Sequence, residues 1–191
     1  MQTENDRIKR AREWLEGYVE SWMFKDIIAC IKGEANYAAA LALSVYTEVL
    51  GGLIKGNLET PSKDNYKAFL TYMGYSDEEA EDIYRHVRCG LVHRYFIKRE
   101  STVHMWKPSR KGIVSKEDRI DFYVVKYFQE FQDAYYKYKD DLLAGKEDLL
   151  EKLEALYSKD IPSADSASKE GPNETGDVVK TSPNVTTLSS S

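Results

Sequence analysis

The densest gathering of chemically able side chains is Tyr84-Arg85-His86-Val87-Arg88-Cys89-Gly90-Leu91-Val92-His93-Arg94-Tyr95-Phe96, which holds two of the three histidines and one of the two cysteines. Imidazole and thiolate together suit zinc. On one helix, however, His86 and His93 would stand roughly 10 Å apart at ~1.5 Å of rise per residue, too far to share an ion. No second Cys/His cluster completes a tetrahedral set, so no metal or other cofactor is expected. A second chemistry uses Arg88 and His93 alone. A neutral imidazole titrating near ~6.5 can take the proton of a ribose 2′-hydroxyl, while a guanidinium holds the non-bridging phosphate oxygens as charge builds on them. The third reading is structural. Leu91 and Val92 then fill a core, His93 complements a helix C-terminus, and Arg88 pairs with a carboxylate. Glu48 is the natural partner, because a carboxylate inside the otherwise apolar stretch Tyr37 to Ile54 is costly to bury without a cation. That ion pair would equally orient Arg88 for catalysis.

Spacing alone does not single out this pair, since Arg99 and His104 repeat the pattern of an Arg, four residues and a His. Five positions on an ideal helix also rotate two side chains by ~140° and separate them by ~7.5 Å. Arg88 and His93 therefore converge only if the helix bends or ends near Gly90, or if a second copy of the chain brings its own pair alongside.

Context separates the two matches. Arg88-Cys89-Gly90-Leu91-Val92-His93-Arg94-Tyr95 closes a helix that begins at a capping box, and Arg88, Leu91, Val92, His93 and Tyr95 match the form Arg-Asn-x-Leu-Val-His-x-Tyr. In this the chain resembles the HEPN superfamily. An apolar helix bearing the acidic Glu48 precedes the motif and a long helix follows it, so the resemblance spans roughly residues 5 to 145. It implies an all-α, HEPN-like helical bundle that acts as a homodimer. By the same resemblance Arg88 and His93 are a metal-independent ribonuclease pair, Glu48 is the supporting ion-pair partner, and Tyr95 is the tyrosine that an antitoxin nucleotidylates in one branch. Cys89 departs from the pattern, standing where active members commonly carry Asn, Asp or His, and a thiol is a weaker hydrogen-bonding group. Many relatives are non-catalytic binding or scaffolding modules, which gives the alternative reading: a helical interaction module for a protein or nucleotide partner.

Charge supports an RNA partner. From Arg85 to Lys126 there are eleven Lys or Arg against four Asp or Glu, a local net of +7 in a chain whose total is −5. A polyanion such as single-stranded RNA suits such a footprint, with Arg94, Tyr95, Lys98, Arg99, Lys107, Arg110 and Lys111 as the expected contacts. Tyr95, His104 and Trp106 could stack on bases. The bland alternative is a solvated basic face.

The elements that must position these residues follow from periodicity. Ile8, Ala11, Leu15, Tyr18, Trp22 and Ile27 predict a first amphipathic helix over about Asn5 to Ile28. A central buried helix follows from Asn36 to Ile54. Thr60-Pro61 predicts a capped third helix ending at Gly74. Ser76 and Glu79 form a capping box for a fourth that runs to about His93. From Arg94 to Glu117 the period fails, and a small β-hairpin or irregular loop is expected around Lys107-Pro108-Ser109-Arg110-Lys111. A long helix over Arg119 to Leu143 carries a Tyr-rich packing face, and Glu147 to Tyr157 makes a last one.

Composition bounds the rest. At 191 residues the chain fits one helical domain over residues 1–158. Residues 159–191 hold eleven Ser or Thr, three of the five prolines and no aromatic residue, which predicts a disordered tail. Two cysteines are too few for a stapled secreted scaffold, and the start of the sequence has no apolar signal segment, so a cytoplasmic setting without a membrane is expected.

Overall fold

The structure, a computed structural model, describes residues 3–59, 61–98 and 100–157. Thr60 as a cap, Arg99 as an RNA contact and the tail over residues 159–191 lie outside the described residues. Helix α1 (Glu4–Trp14) opens on a capping box, in which the Asp6 N–H donates to Thr3 Oγ1 and the Thr3 N–H donates to the Asp6 carboxylate. It continues through a π-helical stretch, Leu15–Phe24, into α2 (Lys25–Lys32), which stops at Gly33. The wider turn changes the phase of the apolar face. Leu15, Val19, Met23, Phe24 and Ile27 are buried, whereas Trp22, expected on that face, is 44% exposed.

Helix α3 (Asn36–Lys55) is the centre of the molecule, touching α2, α4, α7, α8 and the sheet. By length and composition it could cross a membrane, yet half of its apolar window is buried against this chain's own helices. Gly51 and Gly52 lie inside it, and the helix ends at Gly56, whose φ of 71° favours glycine. A Cβ at Gly51 would run into the Asn65 backbone, so a bare helix surface there lets α4 (Ser62–Tyr72) pack at close range. Helix α5 (Asp77–Ile83) begins at the reciprocal Ser76–Glu79 cap that the sequence predicts. A second π-helical stretch, Tyr84–Arg88, leads into α6 (Cys89–Arg94).

In place of the small hairpin or irregular loop expected between α6 and the long helix, there are three short strands. β1 (Glu100–His104), β2 (Ile113–Ser115) and β3 (Arg119–Tyr123) form a sheet in the order β1-β3-β2. β3 runs parallel to β1 and antiparallel to β2, so the antiparallel neighbours are β2 and β3, with Val114 opposite Asp121. The helix expected from Arg119 begins only at Val124, as α7 (Val124–Leu143). Ile120, Asp121, Phe122 and Tyr123 are all buried, as befits a middle strand covered on both faces. The fold is thus mostly helical with a small mixed sheet, completed by α8 (Glu147–Tyr157). Tyr127, Tyr135 and Tyr138 fill the core as their spacing predicts, while Tyr136 faces outward. The Tyr127 hydroxyl, pushed well above its ordinary pKa by burial, lies 2.8 Å from Thr47 Oγ1 and joins α7 to α3.

Candidate functional site

Arg88 ends the π-helical stretch with its side chain only 15% exposed. Its Nε and Nη2 donate to Glu48 Oε2 at 3.0 and 2.8 Å, and the guanidinium carbon lies 5.8 Å from the centroid of the Tyr84 ring. Glu48 comes from the central helix and is itself 24% exposed, so the pair sits at the edge of the core and α3 fixes its direction.

His93 lies on α6 and is exposed. The backbone from Arg88 into Cys89 is right-handed helical, at φ −60° and −65°, and Gly90 stays within the helix. The turn comes later, at Tyr95, whose φ of 61° caps α6 in the left-handed region. The helix therefore does not end at Gly90. On an ideal α-helix five positions would set two side chains about 140° apart, and among the described residues no hydrogen bond joins Arg88 and His93.

Gly90 has a different task. After Tyr95 the chain doubles back, and the Lys98 N–H donates to the His86 carbonyl at 3.0 Å. A Cβ on Gly90 would lie 2.6 Å from the Phe96 carbonyl oxygen and 2.9 Å from Lys98 N, so only glycine allows this return. The zinc set is not gathered. His86 Nδ1 is held 3.0 Å from the Asp82 carboxylate, Cys89 is half-buried, and among the described residues no group of three His, Cys, Asp or Glu is placed to hold a metal ion.

The expected RNA contacts divide by what already holds them. Lys111 donates to Glu79 at 2.6 Å and lies over the Tyr75 ring, and the pairing keeps the Glu79 carboxyl below its usual range. Arg94, Lys98, Lys107 and Arg110 make no ion pair among the described residues. Lys98 precedes β1 and Lys107 follows it, and the five-residue strand alone separates its ends by about 13 Å. Tyr95 is 55% exposed and Trp106 61% exposed, both open to a stacking partner. His104 is not. Its ring stacks on Tyr123 with centroids 4.9 Å apart, and its Nε2 lies 3.2 Å from Asp121, so it serves the sheet instead.

Sequence reasoning missed Tyr37. Its ring lies 6.0 Å from that of Tyr95, while the neighbouring Asn36 donates to the Val103 carbonyl, so the start of α3 holds the end of α6 beside the edge strand β1. The signal was slight, a tyrosine at the second position of a helix. Comparison with protein-family models finds no match to this chain, and comparison with curated proteins and with solved structures finds none either.

Proposed function

We propose that this chain is a HEPN-like protein that binds single-stranded RNA along α6 and cleaves it as a homodimer, without a metal. The observation that carries this reading is the arrangement on successive turns: Arg88 oriented by Glu48, then His93, Arg94 and Tyr95 exposed at the helix end. His93 takes the proton of a ribose 2′-hydroxyl, and the freed oxygen attacks the adjacent phosphorus. Arg88 of a second copy holds the non-bridging oxygens as charge grows on them. The bond from phosphorus to the 5′-oxygen breaks, the leaving oxygen gains a proton, and the products are a 2′,3′-cyclic phosphate and a 5′-hydroxyl.

The test is incubation of a mixed single-stranded RNA with purified protein in EDTA, followed by identification of the new ends. Cyclic-phosphate ends that disappear with His93→Ala support the reading; cleavage that EDTA abolishes overturns it. A second reading, a non-catalytic interaction module, draws on two features. Arg88 is already neutralised by Glu48, and Val92, Tyr95, Phe96 and Trp106 are large exposed hydrophobic side chains of the kind that protein partners cover. Intact RNA from a folded, dimeric protein, together with salt-insensitive partner binding by an Arg88→Ala, His93→Ala double variant, selects the module.

A further inference from the structure

A cavity of about 400 Å³ opens between the first helix and α3, and the Glu48 that holds Arg88 lies in its lining. One wall is aromatic. Trp14, Tyr18 and Trp22 follow one another at four-residue intervals, with centroids 5.1 Å apart at each step; the first pair is stacked at 12° and the second tilted at 34°. Opposite stand Tyr46 and Glu48 of α3, and Asp26 of α2 closes the side. Val49, Leu53 and Leu58 supply aliphatic lining. The π-helical stretch is what turns Tyr18 and Trp22 out of the core and towards this space.

The lining holds two carboxylates and no Lys, Arg or His; Glu48 is paired with Arg88 beside it, whereas Asp26 makes no ion pair among the described residues. Arg88 satisfies only Oε2 of Glu48, and among the described residues Oε1 makes no hydrogen bond. Among the described residues Asp26 accepts a single side-chain hydrogen bond, 2.8 Å from the Tyr46 hydroxyl, which burial and this carboxylate hold above its ordinary pKa. Ring faces carry negative electrostatic potential, and an alkylated ammonium, being weakly hydrated, gains from them what water does not supply. A volume of about 400 Å³ falls within the roughly 300 to 1,000 Å³ of small-molecule sites.

The geometry points to a binding site for a small organic cation, an alkylated ammonium seated against Trp14, Tyr18 and Trp22 with Asp26 as its counter-charge. The site shares Glu48 with the Arg88 ion pair, and its occupancy is measurable without RNA.

The experiment uses the full chain carrying Trp106→Phe, so that fluorescence reports only the two tryptophans of the cavity. Tetramethylammonium and its neutral isostere, in which carbon replaces the charged nitrogen, are titrated at constant ionic strength. Saturable quenching by the cation, with the isostere binding about tenfold more weakly, is the expected result. Calorimetry then compares Trp22→Ala and Asp26→Asn, both at exposed positions, with folding of each variant checked by circular dichroism. Each should weaken the cation by about five- to tenfold. Equal binding of cation and isostere overturns the proposal. So does unchanged affinity in both variants, or the absence of saturable binding to the folded protein.

Discussion

Both hydrogen bonds from the Arg88 guanidinium land on one oxygen of Glu48, Oε2, so a single carboxylate atom ties the Tyr84–Arg88 stretch to the central helix. Removing either partner strands the other charge at the edge of the core. Glu48→Ala is expected to cost about 1–2 kcal/mol, the lower part of the range for charge-assisted hydrogen bonds because the pair is partly solvated. Arg88→Ala should cost a similar amount, and the double variant less than the sum. Urea midpoints of the three proteins check this, and strict additivity would show that the pair is energetically idle.

Cys89 follows Arg88 directly and is half-buried. If the proposed ribonuclease reading holds, an amide at this position supplies the hydrogen-bonding capacity that a thiol offers only weakly. Cys89→Asn should raise the rate of RNA cleavage in EDTA by about tenfold, equivalent to ~1.4 kcal/mol of barrier. Initial rates at matched protein concentration decide it. A rate no higher than wild type, with folding intact, removes Cys89 as the weak point of the site.

Asp121 ties the sheet together, accepting from Arg119 Nη2 at 2.8 Å and pairing with His104 of the neighbouring strand at 3.2 Å. Burial pushes its carboxyl pKa up, but the hydrogen bonds from Arg119 and His104 outweigh that and hold it below its ordinary value of 3.8. A depressed folded value means the unfolded chain binds the proton more readily. The stabilisation is therefore complete above about pH 4, and it is lost as pH falls through the lower folded value. Asp121→Asn should cost about 1–3 kcal/mol at pH 7 and flatten the acid limb of stability. Urea melts at several pH values from neutrality into the acid range test it, and parallel acid limbs for wild type and variant would refute the assignment.

The features legible in the sequence were those fixed by local chemistry. The Ser76–Glu79 cap forms as read, because hydroxyl, carboxylate and two backbone N–H groups meet within four residues. The carboxylate of Glu48 in an apolar helix announced that a cation was needed, and Arg88 is the cation it meets. What failed depended on distant neighbours. Ile120 and Val124 fit a helical period, yet β3 is a strand because β1 and β2 pair with both of its edges, and no local window contains that information. Likewise, the π-helical stretch at Leu15–Phe24 turned Trp22 outward, a phase change that a fixed period of 3.6 cannot follow. His104 looked like a stacking residue until the strand order placed Asp121 and Tyr123 beside it.

The same division applies to the basic residues, where a count of charge overstates what is free to meet a polyanion. Lys111 is already bound to Glu79 and lies over the Tyr75 ring, whereas Arg94 and Lys107 are exposed and make no ion pair among the described residues. Only charges that exchange counterions for phosphates contribute to the salt dependence of binding, by about 0.7 in log–log slope per contact on a single strand. On the proposed RNA-binding reading, Arg94→Ala and Lys107→Ala should each lower the slope by about that amount and weaken different RNA sequences alike. Lys111→Ala should leave the slope unchanged, because that cation is already neutralised by Glu79 and has no counterion to release. Fluorescence anisotropy with a labelled single strand over a series of salt concentrations separates the three variants. If Lys111→Ala lowers the slope as much as Arg94→Ala does, the ion pair with Glu79 opens on binding and the contact surface extends to α5; if none of the three moves it, the phosphates lie elsewhere on the protein.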